Sequence, residues 1–133
     1  MKKLLMIIST AFVLASCGGG GGKTIGKDAK ADFQIDHAKM KELSMSEDDA
    51  VRKPYMDKTI EMKGYITKAQ KSVSSASPNK YSFHLCSAAT EEGSDYVICY
   101  TDEDPTASVG KQVTIKGKFD YAGVVTLDNT VYY

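Results

Sequence analysis

The chain has no tryptophan, only two histidines, three cysteines and three prolines, and no excess of either charge, with 17 basic against 17 acidic side chains. Each shortage removes a class of function. Three cysteines among 133 residues are too few for a disulfide-built miniprotein or a cysteine-rich zinc module. Balanced charge supplies no positive field to hold a polyanion, which argues against an electrostatic nucleic-acid binder. No G-x-S-x-G, H-E-x-x-H or phosphate-loop pattern occurs, so the chain is expected to be non-enzymatic and to carry no cofactor. Beyond the first sixteen residues no apolar run approaches the roughly 20 residues of a membrane-spanning helix. The length suits one small domain.

The strongest positive signal is at the N-terminus. Basic Lys2 and Lys3 precede an apolar stretch from Leu4 to Val13, and small residues follow, which predicts a secretory signal over residues 1–16. Leu14-Ala15-Ser16-Cys17 resembles the lipobox of bacterial lipoproteins. The resemblance implies cleavage before Cys17, a diacylglycerol on its sulfur and a further acyl chain, such as palmitate, on its amino group. Two or three acyl chains, at roughly 0.8 kcal/mol per buried methylene, would hold a soluble domain at a lipid bilayer essentially for good. Gly18 to Gly22 and the polar residues after them complete a tether over 17–30, because five glycines offer no side chain to pack. By resemblance to the sorting rule of enteric lipoproteins, the lack of Asp after Cys17 favours the outer membrane, which places the domain in the cell envelope, at the periplasm or the surface.

Residues 31–56 read as a short helical segment, since Phe33, Ile35, Ala38, Leu43, Ala50, Val51 and Tyr55 recur at irregular three-to-five-residue steps and not by alternation. Ser46-Glu47-Asp48-Asp49 is the expected helix start, and Pro54 the expected stop. From Asp57 the period changes to two. Ile60, Met62, Gly64 and Ile66 predict a strand; Tyr81 to Cys86 and Tyr96 to Thr101 predict a hairpin about Glu91-Glu92-Gly93-Ser94; Val113 to Phe119 and Val125 to Val131 predict a second pair. Lys71 to Lys80 reads as a loop, and Asp102 to Ser108 as a loop or one helical turn. Ile60 to Ile66 and Val113 to Phe119 repeat one pattern with Lys-Gly aligned, so Gly64 and Gly117 are expected to mark bulges or bends.

Five strands in this order predict a five-stranded OB-fold Greek-key barrel over 57–133, a mainly β domain preceded by one or two short helices. Asp57-Lys58-Thr59-Ile60-Glu61-Met62-Lys63-Gly64-Tyr65-Ile66, Val97-Ile98-Cys99-Tyr100 and Val109-Gly110-Lys111-Gln112-Val113-Thr114-Ile115-Lys116-Gly117 resemble the tRNA_anti-like OB-fold proteins, many of them bacterial envelope lipoproteins. That resemblance implies a fold and a compartment, and it transfers no catalytic residue.

Cys86 and Cys99 stand directly opposite each other if the hairpin centres between Glu92 and Gly93, which predicts a disulfide; two separate buried thiols are the alternative. His84 shares the strand parity of Cys86, so His84, Cys86 and Cys99 form the one candidate metal or redox cluster. His37 has no evident partner. Lys63, Lys68, Lys71, Lys80, Lys116 and Lys118 with Tyr65 and Tyr81 are the candidate surface for single-stranded nucleic acid, although acids outnumber lysines from Asp57 onward. The acidic clusters Glu91, Glu92, Asp95 and Asp102, Glu103, Asp104 read as solvated loops. The expected function is therefore a lipid-anchored accessory module that binds an envelope protein or glycan. A nucleic-acid binder outside the cytoplasm and a small metal or redox protein are the alternatives.

Overall fold

The computed structural model describes residues 25–73 and 77–133. In chain order these form β1 (Phe33–Gln34), α1 (His37–Met45), β2 (Thr59–Lys71), β3 (Tyr81–Cys86), β4 (Tyr96–Thr101), β5 (Gln112–Tyr121) and β6 (Val125–Tyr132), with short 3-10 turns at Asp49–Val51, Lys53–Tyr55 and Thr106–Ser108. The sheet runs β1-β2-β3-β4-β6-β5 and closes because β2 also pairs with β5. The result is a five-stranded OB-like barrel of β2 to β6, with β1 as an extra strand.

Strand β2 closes the barrel by serving two neighbours in succession. Thr59 to Tyr65 pair antiparallel with β5, and Tyr65 to Lys71 pair antiparallel with β3. Between Thr67 and Gln70 the register shifts, and Lys68 takes a left-handed φ of 45°, so an extra residue bends the strand from one neighbour to the other. Strands β4 and β6 are parallel, joined at Ile98–Thr126 and Cys99–Leu127. Alternation turns Ile60, Met62, Ile66, Phe83, Leu85, Ile115, Phe119 and Leu127 into the barrel, each at most 2% exposed. Burying side chains of this kind contributes about 1.5–3 kcal/mol apiece, and these dominate the stability of the domain.

The two aligned glycines serve close approach. A Cβ at Gly64 would lie 2.7 Å from the Cys86 carbonyl oxygen, and one at Gly117 would lie 2.6 Å from Thr130 Oγ1. The expected bulge is present at Gly117, where the register against β6 shifts between Lys116 and Lys118. Gly64 lies in an unbroken ladder, and the β2 bulge comes at Lys68 instead.

Two expectations for residues 31–56 are corrected. Phe33 and Gln34 are a strand, paired in parallel with Ile60 and Glu61. The α-helix starts at Asp36, whose side chain accepts from the Lys39 amide at 2.8 Å, and it ends at Ser46, where a start was expected. Asp48 caps only a 3-10 turn, because its carboxylate bonds the Ala50 amide. The decisive residue is Arg52, only 3% exposed: its Nη1 donates to the carbonyls of Leu43 and Ser46, its Nη2 pairs with Asp49, and its guanidinium lies 3.8 Å from the Tyr121 ring centroid. Those carbonyls are the open C-terminal groups of α1, so Arg52 stops the helix and ties it to the barrel. Buried Met40 and Leu43 seat α1 over the barrel end formed by the start of β4 and the β5–β6 turn.

Candidate functional site

The β3–β4 hairpin determines where the candidate residues point. Its turn does fall at Glu91 to Ser94, with Gly93 in the left-handed region at φ 72° and the Ser94 amide bonded to the Glu91 carbonyl. Ser87 and Asp95 nevertheless close the ladder, and Ala88 to Thr90 loop out on one arm alone. The register is therefore shifted by three residues from a symmetric hairpin: Cys86 faces Tyr96 and Cys99 faces Phe83.

An odd shift sends the two sulfurs to opposite faces of the sheet. This corrects the expected disulfide and dissolves the His84, Cys86, Cys99 cluster. Cys86 and Cys99 are free, buried thiols. Cys99 joins the barrel core, where burial pushes its thiol well above the ordinary range. Cys86 lies on the outer face and shares a 3.0 Å hydrogen bond with Thr67 Oγ1. Among the described residues, no group of three or more His, Cys, Asp or Glu is placed to hold a metal.

His84 instead belongs to an aromatic pair. Its ring stacks on Tyr96, with centroids 4.3 Å apart and planes within 6°. The looped-out arm brings Glu91 back over it, so that Nδ1 donates to Glu91 Oε1 at 2.8 Å. The carboxylate fixes the ring orientation, and the pair holds Tyr96 upright at the start of β4 with half of its surface exposed.

Beside Tyr96 a cleft of about 250 Å³ opens between α1, the start of β4 and the β5–β6 turn. Met45, Tyr96 and Val124, which are 71%, 50% and 47% exposed, contribute to its lining. The Lys41–Asp95 ion pair, at 3.1 Å, spans from the helix to the hairpin in the same lining. Apolar walls with a few polar groups suit an amphipathic ligand. OB barrels bind on the second and third barrel strands together with the last hairpin turn, which here are β3, β4 and Ala122 to Val124. A second hollow of about 440 Å³ lies against Arg52, Lys53, Met56 and Tyr121, but the Arg52 head group that borders it is already committed to the end of α1.

The lysines of the expected nucleic-acid surface do not converge on this face. Lys116 and Lys118 are on β5, the former buried against Lys27 and Ala29 and the latter paired with Asp57. Glu91 and Asp95 stand beside the candidate face already paired, with His84 and with Lys41. His37, left without a role by sequence, contacts the Lys63 carbonyl at 3.1 Å through Nε2 and is among the residues that line the cleft. Tyr96 is the residue that sequence reasoning missed, because it shares a face with His84 only in the shifted register and the symmetric hairpin would have turned it to the opposite face. Cys17 and the lipobox lie outside the described residues. Compared with known proteins, the chain matches no family model, no curated protein and no solved structure.

Proposed function

We propose that this chain is a lipid-anchored, non-enzymatic binding module of the bacterial cell envelope, and that its OB-like barrel takes a protein or glycan in the cleft beside Tyr96. The observation that carries the reading is the convergence of three exposed apolar side chains, Met45, Tyr96 and Val124, from three separate elements around one cleft. Isolated exposed apolar residues need no explanation, whereas a clustered group with a polar rim suits an interaction site. The lipobox at Leu14 to Cys17 supports attachment through an acylated Cys17, and the absence of Asp after it favours the outer membrane. Lys116 and Lys118 are engaged on β5, away from the cleft, which disfavours single-stranded nucleic acid as the ligand.

The test is photo-crosslinking in intact envelopes, with a photoreactive side chain in place of Tyr96 and, as a control, in place of Lys68, an exposed residue of the β2 bulge. Discrete adducts are expected from position 96 alone and are expected to disappear when Val124→Asp is added. Equal adducts from both positions, or none from position 96, would contradict the proposed site.

A further inference from the structure

The residues before β1 are strapped to one wall of the barrel by an unusual clamp. Lys116 points outward from β5 yet is only 7% exposed, and its ammonium donates to the carbonyls of Lys27 and Ala29 at 2.6 Å each. The Tyr133 ring centroid lies 5.7 Å from the same nitrogen. A covered ammonium has lost its water and needs acceptors, and the two strap carbonyls supply them. Further along, the Asp32 carboxylate accepts from the Thr59 amide, and the Asp32 amide donates to the Thr59 carbonyl, so the strap is fixed at both ends.

The ring order gives this clamp a direction. In the closed barrel, β5 is flanked by β2 and β6, so β3 and β4 form the opposite wall. From this we infer that the β3–β4 face is held away from the anchoring bilayer and serves a partner in the aqueous envelope space, not the lipid surface. The inference rests on the proposed lipidation of Cys17.

Reach decides the matter. Only residues 18–26 separate Cys17 from the clamp. The ten residue steps from Cys17 to Lys27, at about 3.3–3.6 Å each, span at most ~36 Å, whatever their conformation. A domain of this size has a radius of gyration of about 13 Å and hence a radius of roughly 17 Å, so the shortest path from its far side, over a quarter of its girth and down to the membrane plane, is roughly 43 Å. The lipid must go around the barrel to bring β3 and β4 down onto its membrane, and the chain is too short for that path while the clamp holds.

The experiment reconstitutes the full lipidated chain in phosphatidylcholine vesicles whose headgroups carry an energy-transfer acceptor. Donor dyes are placed at Lys118→Cys on β5 or at Tyr96→Cys on β4. Transfer severalfold stronger from position 118 is expected. Doubling the number of residues between Cys17 and Lys27, or substituting Lys116→Ala, is expected to narrow the difference. Protein that does not associate with the vesicles would overturn the lipid anchor and this inference with it. Protein that associates but transfers equally from both positions would overturn the orientation alone.

Discussion

Gly64→Ala places a single methyl group where the barrel has no room for it. Its Cβ would stand 2.7 Å from the Cys86 carbonyl oxygen, 2.8 Å from His37 Nε2 and 2.9 Å from Leu85 Cγ. His37 and Leu85 are side chains and can yield in part. The Cys86 oxygen is backbone in the β2–β3 ladder, and moving it strains the Tyr65–Cys86 pairing that closes the barrel. Overpacking of this kind costs about 1–3 kcal/mol. Alanine recovers about 0.4–1 kcal/mol by restricting the unfolded chain. The net loss is therefore up to about 2.6 kcal/mol and centred near ~1.3 kcal/mol, and at about 4–8 °C per kcal/mol that central value lowers the melting temperature by about 5–10 °C. Gly26→Ala is the control, because a Cβ there meets nothing within 4 Å and the residue has no positive φ. Thermal unfolding followed by circular dichroism, with both variants beside the parent chain, reads the difference. Gly64→Ala melting together with Gly26→Ala would refute the close approach of β2 to the Cys86 carbonyl and to His37.

The two internal thiols are separate, so in a Cys17→Ser chain purified without reductant both Cys86 and Cys99 should react with a thiol reagent once denatured and resist it when folded. Reductant should leave the melting temperature unchanged, and a reductant-sensitive melt would restore the disulfide. Burial, followed by the nearby Asp120 carboxylate, raises the pKa of Asp128. Its ionised form is therefore disfavoured in the fold, and stability is lost as pH rises from the unfolded value of about 3.9 through the folded one. Asp128→Asn should raise the melting temperature at pH 7 and make no difference near pH 3; an equal shift at both would contradict burial as the cause.

Strict alternation made the barrel readable. Ile60 to Ile66 and Val113 to Phe119 each bury one face, and a slip of one residue would turn that whole face to solvent. The strand Phe33–Gln34 escaped because two residues cannot display a period and because its pairing with β2 is made by backbone. The helix was misplaced because Ser46 and Asp48 carry capping chemistry that serves a C-terminus and a 3-10 turn here, while Arg52 ends α1 from six residues beyond Ser46. Turn residues located the tip of the β3–β4 hairpin but not its asymmetric arm. Ala88 to Thr90 loop out without any distinctive sequence, and those three residues separate Cys86 from Cys99. The cleft was illegible for a related reason. Met45, Tyr96 and Val124 are far apart in sequence, and only the seating of α1 against the β5–β6 turn brings them together.

Intact mass spectrometry of the full chain, extracted from the membranes of a bacterial host, tests most directly the claim that this barrel is an anchored envelope module. The account predicts a protein that begins at Cys17, has lost residues 1–16 and carries the added mass of a diacylglycerol and an amide-linked acyl chain. A soluble protein, or one cleaved elsewhere with an unmodified Cys17, would contradict it.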